Sequence, residues 1–189
     1  MQNIPKYIII HCSAISRAQY PKQFTIINVS HKDREFPLSS LGYYIGYHKL
    51  SIGGIEYKTR NENEEGAHCN QLQDGISMNY QSLGYCLGFH GDYETPDPRD
   101  VLNMRNSIKE WQKQYNIPDK NILYHRYYAT NKSCPGNLIK DGWIFDVLKD
   151  DYELRLKLSL LQHLVALYTK LSSYKLGGYN PSGCGAEKG

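Results

Sequence analysis

The sequence predicts an α/β fold, and three observations predict it. The runs Tyr7-Ile8-Ile9-Ile10-His11 and Leu83-Gly84-Tyr85-Cys86-Leu87-Gly88-Phe89 are continuous, apolar and short, the pattern of strands buried on both faces. Helical spacing follows the second run, with Val101, Leu102, Ile108, Trp111 and Tyr115 on one side. A further short run, Asn121-Ile122-Leu123-Tyr124, then returns as a strand. The 189 residues suffice for one domain with a sizeable core and an appendage.

Taken in order, Tyr7–His11 reads as a central strand, Ser13–Gln23 as a polar loop and Phe24–Lys32 as a short helix, with a break over Phe36–Ser40. Residues Ile45–Ile52 alternate and read as a strand. Gly53-Gly54 is a two-residue hairpin signal, and Ile55–Arg60 is the returning strand. Asn61–Tyr80 is polar and reads as a long irregular loop, a length more often functional than idle. Thr95-Pro96-Asp97-Pro98 starts a helix and Asn116-Ile117-Pro118 stops it. From about Asp146 to Tyr174 the pattern is helical and amphipathic. Leu154, Leu158, Leu161, Val165 and Tyr168 form one stripe, and Leu160, Leu164, Leu167 and Leu171 an adjacent one. The resulting division is 1–149, a C-terminal amphipathic helix over 150–176, and a Gly-rich tail over 177–189 read as disordered.

The net charge of +3 and the lack of a Lys/Arg cluster give no case for nucleic acid. A mild positive balance suits an anionic polymer such as a bacterial cell wall, and the 17 tyrosines suit sugar or peptide contact. Five cysteines at irregular spacing do not read as a disulfide framework. Cys12 follows His11 on the strand, points to the opposite face and is a poor co-ligand. No apolar segment reaches the length of a membrane span, and no signal-peptide core is read near Met1. Synthesis in the cytoplasm is expected, with any substrate outside the membrane reached after release.

The residues with chemistry to offer are His11, which ends the first strand, and the stretch from His125 through Lys132 and Cys134 to Gly136. A histidine ending a strand is ordinarily a satisfied polar residue, and Lys132 alone would be a solvated loop lysine. The combination alters that reading. Strand ends open onto loops, where functional groups gather. Two histidines and a cysteine are the donor types of zinc sites, and three protein ligands with one open position is the catalytic pattern. His48, His68 and His90 are rivals. No His-Glu-x-x-His helix is present.

Five segments occur in order: Ile9-Ile10-His11-Cys12-Ser13-Ala14, Ile45-Gly46-Tyr47-His48, Gly66-Ala67-His68, Ser82-Leu83-Gly84-Tyr85-Cys86-Leu87 and Lys132-Ser133-Cys134-Pro135-Gly136. Together they resemble the zinc-dependent N-acetylmuramoyl-L-alanine amidases of the T7-lysozyme and peptidoglycan-recognition-protein superfamily, over roughly residues 5 to 149. The phage T7-type members are the most similar, through the His-Cys-Ser-Ala string and the lysine before the cysteine. The resemblance implies a central mixed β-sheet flanked by helices, Zn2+ held by His11, His125 and Cys134, and hydrolysis of the amide between N-acetylmuramic acid and L-alanine. It implies that Tyr47 and Lys132 assist the chemistry and that His68 lines the substrate groove. Two departures stand out. The His125-to-Cys134 interval is one residue longer than in the T7-type pattern, and Gly42-Tyr43 competes with Gly46-Tyr47 for the tyrosine position, Tyr47 being preferred for its following histidine. The family reading is a phage endolysin or autolysin-like enzyme acting on peptidoglycan. The alternative is a recognition module that binds without cutting, a type that usually lacks the cysteine ligand. The C-terminal helix either packs on the first domain, self-associates or engages the cell surface.

Overall fold

A computed structural model describes residues 2–176, so the expectation for the Gly-rich tail lies outside the described residues. The chain divides into two units, Met1–Lys149 and Asp150–Gly189.

In the first unit, five strands form a mixed sheet in the order β3-β2-β6-β1-β7. The strands are β1 (Tyr7–Cys12), β2 (Lys49–Ile52), β3 (Ile55–Lys58), β6 (Ser82–Leu87) and β7 (Ile122–Tyr124). Strand β1 runs parallel to β6 and β7 on its two sides, which is why its Ile8, Ile9 and Ile10 are fully buried. Strand β2 is parallel to β6 and antiparallel to β3 across the Gly53-Gly54 turn. Both glycines have positive φ, 62° and 89°, the backbone a two-residue hairpin of this twist requires. Asp100 fastens the hairpin by accepting from the backbone N–H of Gly53 and Gly54 and from the Ser51 hydroxyl.

Helix α1 spans Tyr20–Asp33 and packs on β2. Helix α2 spans Pro98–Tyr115 and packs on β2, β3 and β6. The Asp97 side chain caps α2 by accepting from the Arg99 N–H at 2.9 Å, and the helix ends at Asn116 in the left-handed conformation. Trp111 of α2 is fully buried and meets Tyr85 of β6 edge to face. Helix α3, Trp143–Leu148, packs on α2. The second unit contains α4, Tyr152–Leu176.

Four sequence expectations are corrected. Helix α1 starts at Tyr20, inside the stretch expected to be loop, with Pro21 in its first turn. Strand β2 starts at Lys49 rather than Ile45, because the backbone of Ile45–Tyr47 bonds to the side chains of His31, Arg60 and Thr59 and to the Ala67 loop, and only at His48 does it reach β6. The 61–80 segment is not wholly irregular: β4 (Leu72–Gln73) and β5 (Ile76–Ser77) form a small hairpin across Asp74-Gly75. The helical pattern expected from Asp146 onward is two helices, broken where Lys149 turns to extended backbone with ψ 145°.

Candidate metal centre

The parallel sheet explains why two histidines 114 positions apart become neighbours. Ile10 of β1 pairs with Tyr124 of β7, so the next residue on each strand, His11 and His125, emerges at the same sheet end. Their ring centroids are 4.5 Å apart. Beyond His125 the chain turns through a short 3-10 helix and loops back, and the Arg126 N–H donates to the Cys134 carbonyl at 2.8 Å. That bond closes the loop and returns Cys134 to the histidines. One donor atom from each of His11, His125 and Cys134 lies within 4.8 Å of the other two.

The donor geometry fits zinc. His11 Nδ1 and Cys134 Sγ are 3.8 Å apart. Zinc bond lengths of about 2.0 Å to nitrogen and 2.3 Å to sulfur at a tetrahedral angle require roughly 3.5 Å. The other ring nitrogen of His11, Nε2, is 3.1 Å from His68 Nδ1. With Nδ1 reserved for a metal, Nε2 carries the proton and donates to His68, the outer contact that fixes a ligand imidazole in orientation and tautomer. The Cys12 backbone N–H points at the Cys134 sulfur, 3.4 Å away. Cys12 is not among the three converging donors, but it is not turned away from them as expected: it lines the same cleft, its thiol meets that of Cys134, and its main-chain N–H supports the same sulfur.

Electrostatics prepares the donors. Burial, and then the charge of Lys132, lower His125 from its ordinary 6.5 to about 4. Burial first, then neighbouring histidines and Lys132, lower His11 well below 6.5. Both imidazoles are therefore neutral at physiological pH and offer lone pairs. The Cys12 thiol and burial push the Cys134 thiol well above its ordinary range, so thiolate there calls for a cation beside it.

These residues line a cleft of about 630 Å³. Tyr47, Lys132 and His68 line it too, so all six expected site residues meet in one place. The Tyr47 ring is 4.9 Å from that of His11, and burial raises its phenol well above 10 and keeps it protonated. None of the lining residues is acidic, and Arg34 and Lys132 are its strong cations. Tyr43, the competitor for Tyr47, is outside the lining and packs against Phe24.

His68 is buried more deeply than a groove-wall residue needs to be, at 8% exposure. A Cβ on Gly84 would lie 2.7 Å from the His68 ring and a Cβ on Gly66 2.5 Å from it. The two glycines make room for this imidazole. Asn79 Oδ1 accepts from the backbone N–H of His68 and Cys69 and holds the segment.

Sequence reasoning missed His31. Its Nδ1 accepts from the Gly46 N–H at 2.9 Å, its ring lies 5.4 Å from that of Tyr47, and it lines the cleft. It sits in the last turn of α1 with no local motif to mark it. Of the rival histidines, His48 is fully buried and structural, with Nδ1 accepting from the Gly84 N–H and Nε2 against the Glu64 carbonyl.

Comparison with known proteins adds to this geometry. Residues 1–137 match the family model described as N-acetylmuramoyl-L-alanine amidase. No curated protein sequence matches. Among solved structures, the endolysin N-acetylmuramoyl-L-alanine amidase LysCS from Clostridium intestinale URNW is similar, with 22% identity, a TM-score of 0.59, and coverage of 81% of this chain and 85% of that one. Drosophila PGRP-LB shares 22% identity at a TM-score of 0.58, over 80% of this chain and 84% of its own. Bumblebee PGRP-SA shares 22% at 0.56, over 74% and 82%. At these identities the three likenesses show a common fold.

Proposed function

The chain belongs to the N-acetylmuramoyl-L-alanine amidase family, a family of peptidoglycan hydrolases, and from that premise we propose that it is a zinc-dependent member that cuts the amide between N-acetylmuramic acid and L-alanine. One observation carries the zinc reading: the donor atoms of His11, His125 and Cys134 converge within 4.8 Å at the wall of a cleft. Zinc held by these three would supply a water acidified to a pKa of about 7 and a Lewis acid for the scissile carbonyl.

The remaining chemistry belongs to the chain. Attack on an amide carbonyl moves negative charge onto its oxygen, and a positioned donor there is typically worth about 3 kcal/mol. Lys132, exposed on the cleft two residues before Cys134, is the cation for that role. Tyr47 stays protonated, so its phenol orients the attacking water and donates a hydrogen bond rather than acting as a base. His68 accepts from His11 and holds the ligand ring, and its edge forms part of the groove against which substrate lies. The acid-free lining suits the carboxylates of a peptidoglycan stem peptide.

All these residues lie in the 1–149 unit, which we take as the catalytic domain. The wall is the site of action, reached after release from the cytoplasm, as the likeness to an endolysin amidase supports. Among the described residues no helix is long and apolar enough to cross a membrane. Helix α4 exposes Leu154, Leu158, Leu161, Leu164, Val165 and Tyr168, each by more than half, and self-association is the role we assign to it. Light scattering of the full chain beside a 1–149 truncation tests this, and an equal, monomeric state for both would end it.

The alternative is a module that binds peptidoglycan without cutting it. Cys134 in the donor set favours cutting, because it completes three ligands beside open space. Digestion of purified peptidoglycan should release fragments with new L-alanine amino termini, with one zinc per chain. His11→Ala and Cys134→Ser should abolish that release. If both variants still release them, the ligand assignment is wrong.

A further inference from the structure

Cys134 sits on a loop whose internal bonds shape it without anchoring it to the far side of the cleft. The Lys132 N–H donates to the Ala129 carbonyl and the Gly136 N–H to the Ser133 carbonyl, both within the loop. Arg126 holds the near side, its N–H on the Cys134 carbonyl and its guanidinium on the Gly136 and Ile139 carbonyls, and the segment after β6 supplies a second anchor. One oxygen of Asp92 accepts from the Ser133 hydroxyl at 2.9 Å, and the other accepts from the Asn137 N–H at 2.8 Å. The carboxylate therefore straddles Cys134, gripping the residue before it and the third residue after it. Beside this grip the Leu138 N–H donates to the Gly91 carbonyl at 3.1 Å. Gly91 and Gly136 touch so closely that a Cβ on Gly136 would lie 2.1 Å from the Gly91 carbonyl carbon, and one on Gly91 1.9 Å from the Pro135 oxygen. The two segments are in backbone contact, and Asp92 sets how they lie against each other. The Asn137 N–H and then the Ser133 hydroxyl hold the Asp92 carboxyl below its ordinary range, so it accepts as an anion.

We propose that Asp92 is a positioning residue for the metal site: by clamping Ser133 and Asn137 it holds the Cys134 sulfur at ligand distance from His11, and it also sets the origin of the Lys132 side chain. The proposal rests on the zinc reading above. It asks more of Asp92 than loop stability: the Arg126 N–H fixes the Cys134 carbonyl, and the Asp92 grip on both flanks fixes how the rest of the loop lies and so where the sulfur stands. Outer contacts of this kind typically change metal affinity about 10–100-fold when removed.

The test uses the full chain stripped of metal. Zinc affinity is measured by competition with a chromophoric chelator, and the cobalt(II)-loaded protein is examined for its thiolate-to-cobalt charge-transfer absorption. In Asp92→Ala the zinc Kd should rise about 10–100-fold and the cobalt–thiolate band should weaken or shift. Ser133→Ala, which loses one of the two contacts, should show a smaller rise. Asp92→Asn should recover part of the loss, since its amide oxygen still accepts from the Asn137 N–H. An Asp92→Ala protein with wild-type zinc affinity and a wild-type cobalt band overturns the proposal, whatever its melting temperature. Should Asp92→Ala fail to fold, Ser133→Ala and Asp92→Asn decide, and unchanged affinity and spectra in both overturn it. A wild-type chain that binds neither zinc nor cobalt refutes the zinc reading itself, a result distinct from failure of the Asp92 clamp.

Discussion

Gly84→Ala is a one-carbon test of whether His68 supports the proposed metal site. Gly84 lies in β6, paired with Ile9 of β1, and its added Cβ would sit 2.7 Å from His68 Cγ and Cδ2 and 2.9 Å from Nδ1. Carbon atoms at rest in a core are about 3.5–4.0 Å apart, so the imidazole must retreat by roughly 1 Å. The retreat takes its Nδ1 away from a 3.1 Å contact with His11 Nε2 and beyond hydrogen-bond range. Alanine is otherwise favoured over glycine in a strand by about 0.5–1 kcal/mol, so a loss of stability must come from the clash. Overpacking of this size costs about 1–3 kcal/mol. The expected result is a destabilised protein whose zinc affinity falls about 10–100-fold. The control is a double-mutant cycle read by chemical denaturation and chelator competition. His68→Ala alone should weaken zinc binding, and Gly84→Ala should cost nothing further in that background, because the atom it collides with is gone. Gly84→Ala with full zinc affinity, or additive effects in the double mutant, would refute the assignment of His68 to His11.

Three further outcomes are expected. Lys132→Ala should lower kcat about 100- to 1,000-fold, the equivalent of one oxyanion donor, with zinc content unchanged; steady-state kinetics on a soluble muropeptide beside metal analysis checks both. Chelation should abolish activity and added zinc restore it, whereas Cys134→Ser should not recover at the same zinc concentration. The third concerns acid stability. Burial lowers His48 from 6.5 to about 4, so it is neutral in folded and unfolded chains alike above 6.5. As pH falls below 6.5 the unfolded chain gains a proton that the folded one refuses, and stability declines down to about pH 4, by up to roughly 3 kcal/mol at about 1.36 kcal/mol per pH unit. His48→Gln should flatten part of that decline in denaturant melts of the metal-free protein, and an unchanged slope would show that His48 is not its source.

The strands that carry the site were the most legible elements. β1 and β6 are shielded by neighbours on both edges and by packing on both faces, which forces an apolar run on the sequence. Misreadings arose where side chains replace the backbone ladder. Ile45 to His48 alternate like a strand, yet the Gly46 N–H goes to the His31 ring and the Ile45 carbonyl accepts from the Arg60 guanidinium. The Asp74-Gly75 hairpin does carry a sequence signal, since Asp-Gly is a two-residue turn pair and both residues have positive φ, 54° and 75°. The break before α4 was harder, because the helical period continues in register across it.

The site divides along a similar line. His11, His125 and Cys134 could be read because each is tied to a local event: a strand end, another strand end, and a short loop closing on itself. The residues that hold them carry no such mark. Asp92 meets Ser133 and Asn137 across 41 and 45 positions, and His68 meets His11 across 57. Such contacts follow from the strand order, which brings the loop after β6 beside the one after β7 although β1 lies between their strands. Glycine is the one sequence trace they leave. Gly66 and Gly84 clear space for His68, and Gly91 and Gly136 let two loops touch. None of the four has the positive-φ hairpin role that normally explains a glycine, apart from Gly136, whose φ of 114° adds a second reason to the first. Small residues packed against the residues that hold the candidate site thus mark its support, and at Gly84 that support runs through His68 to His11.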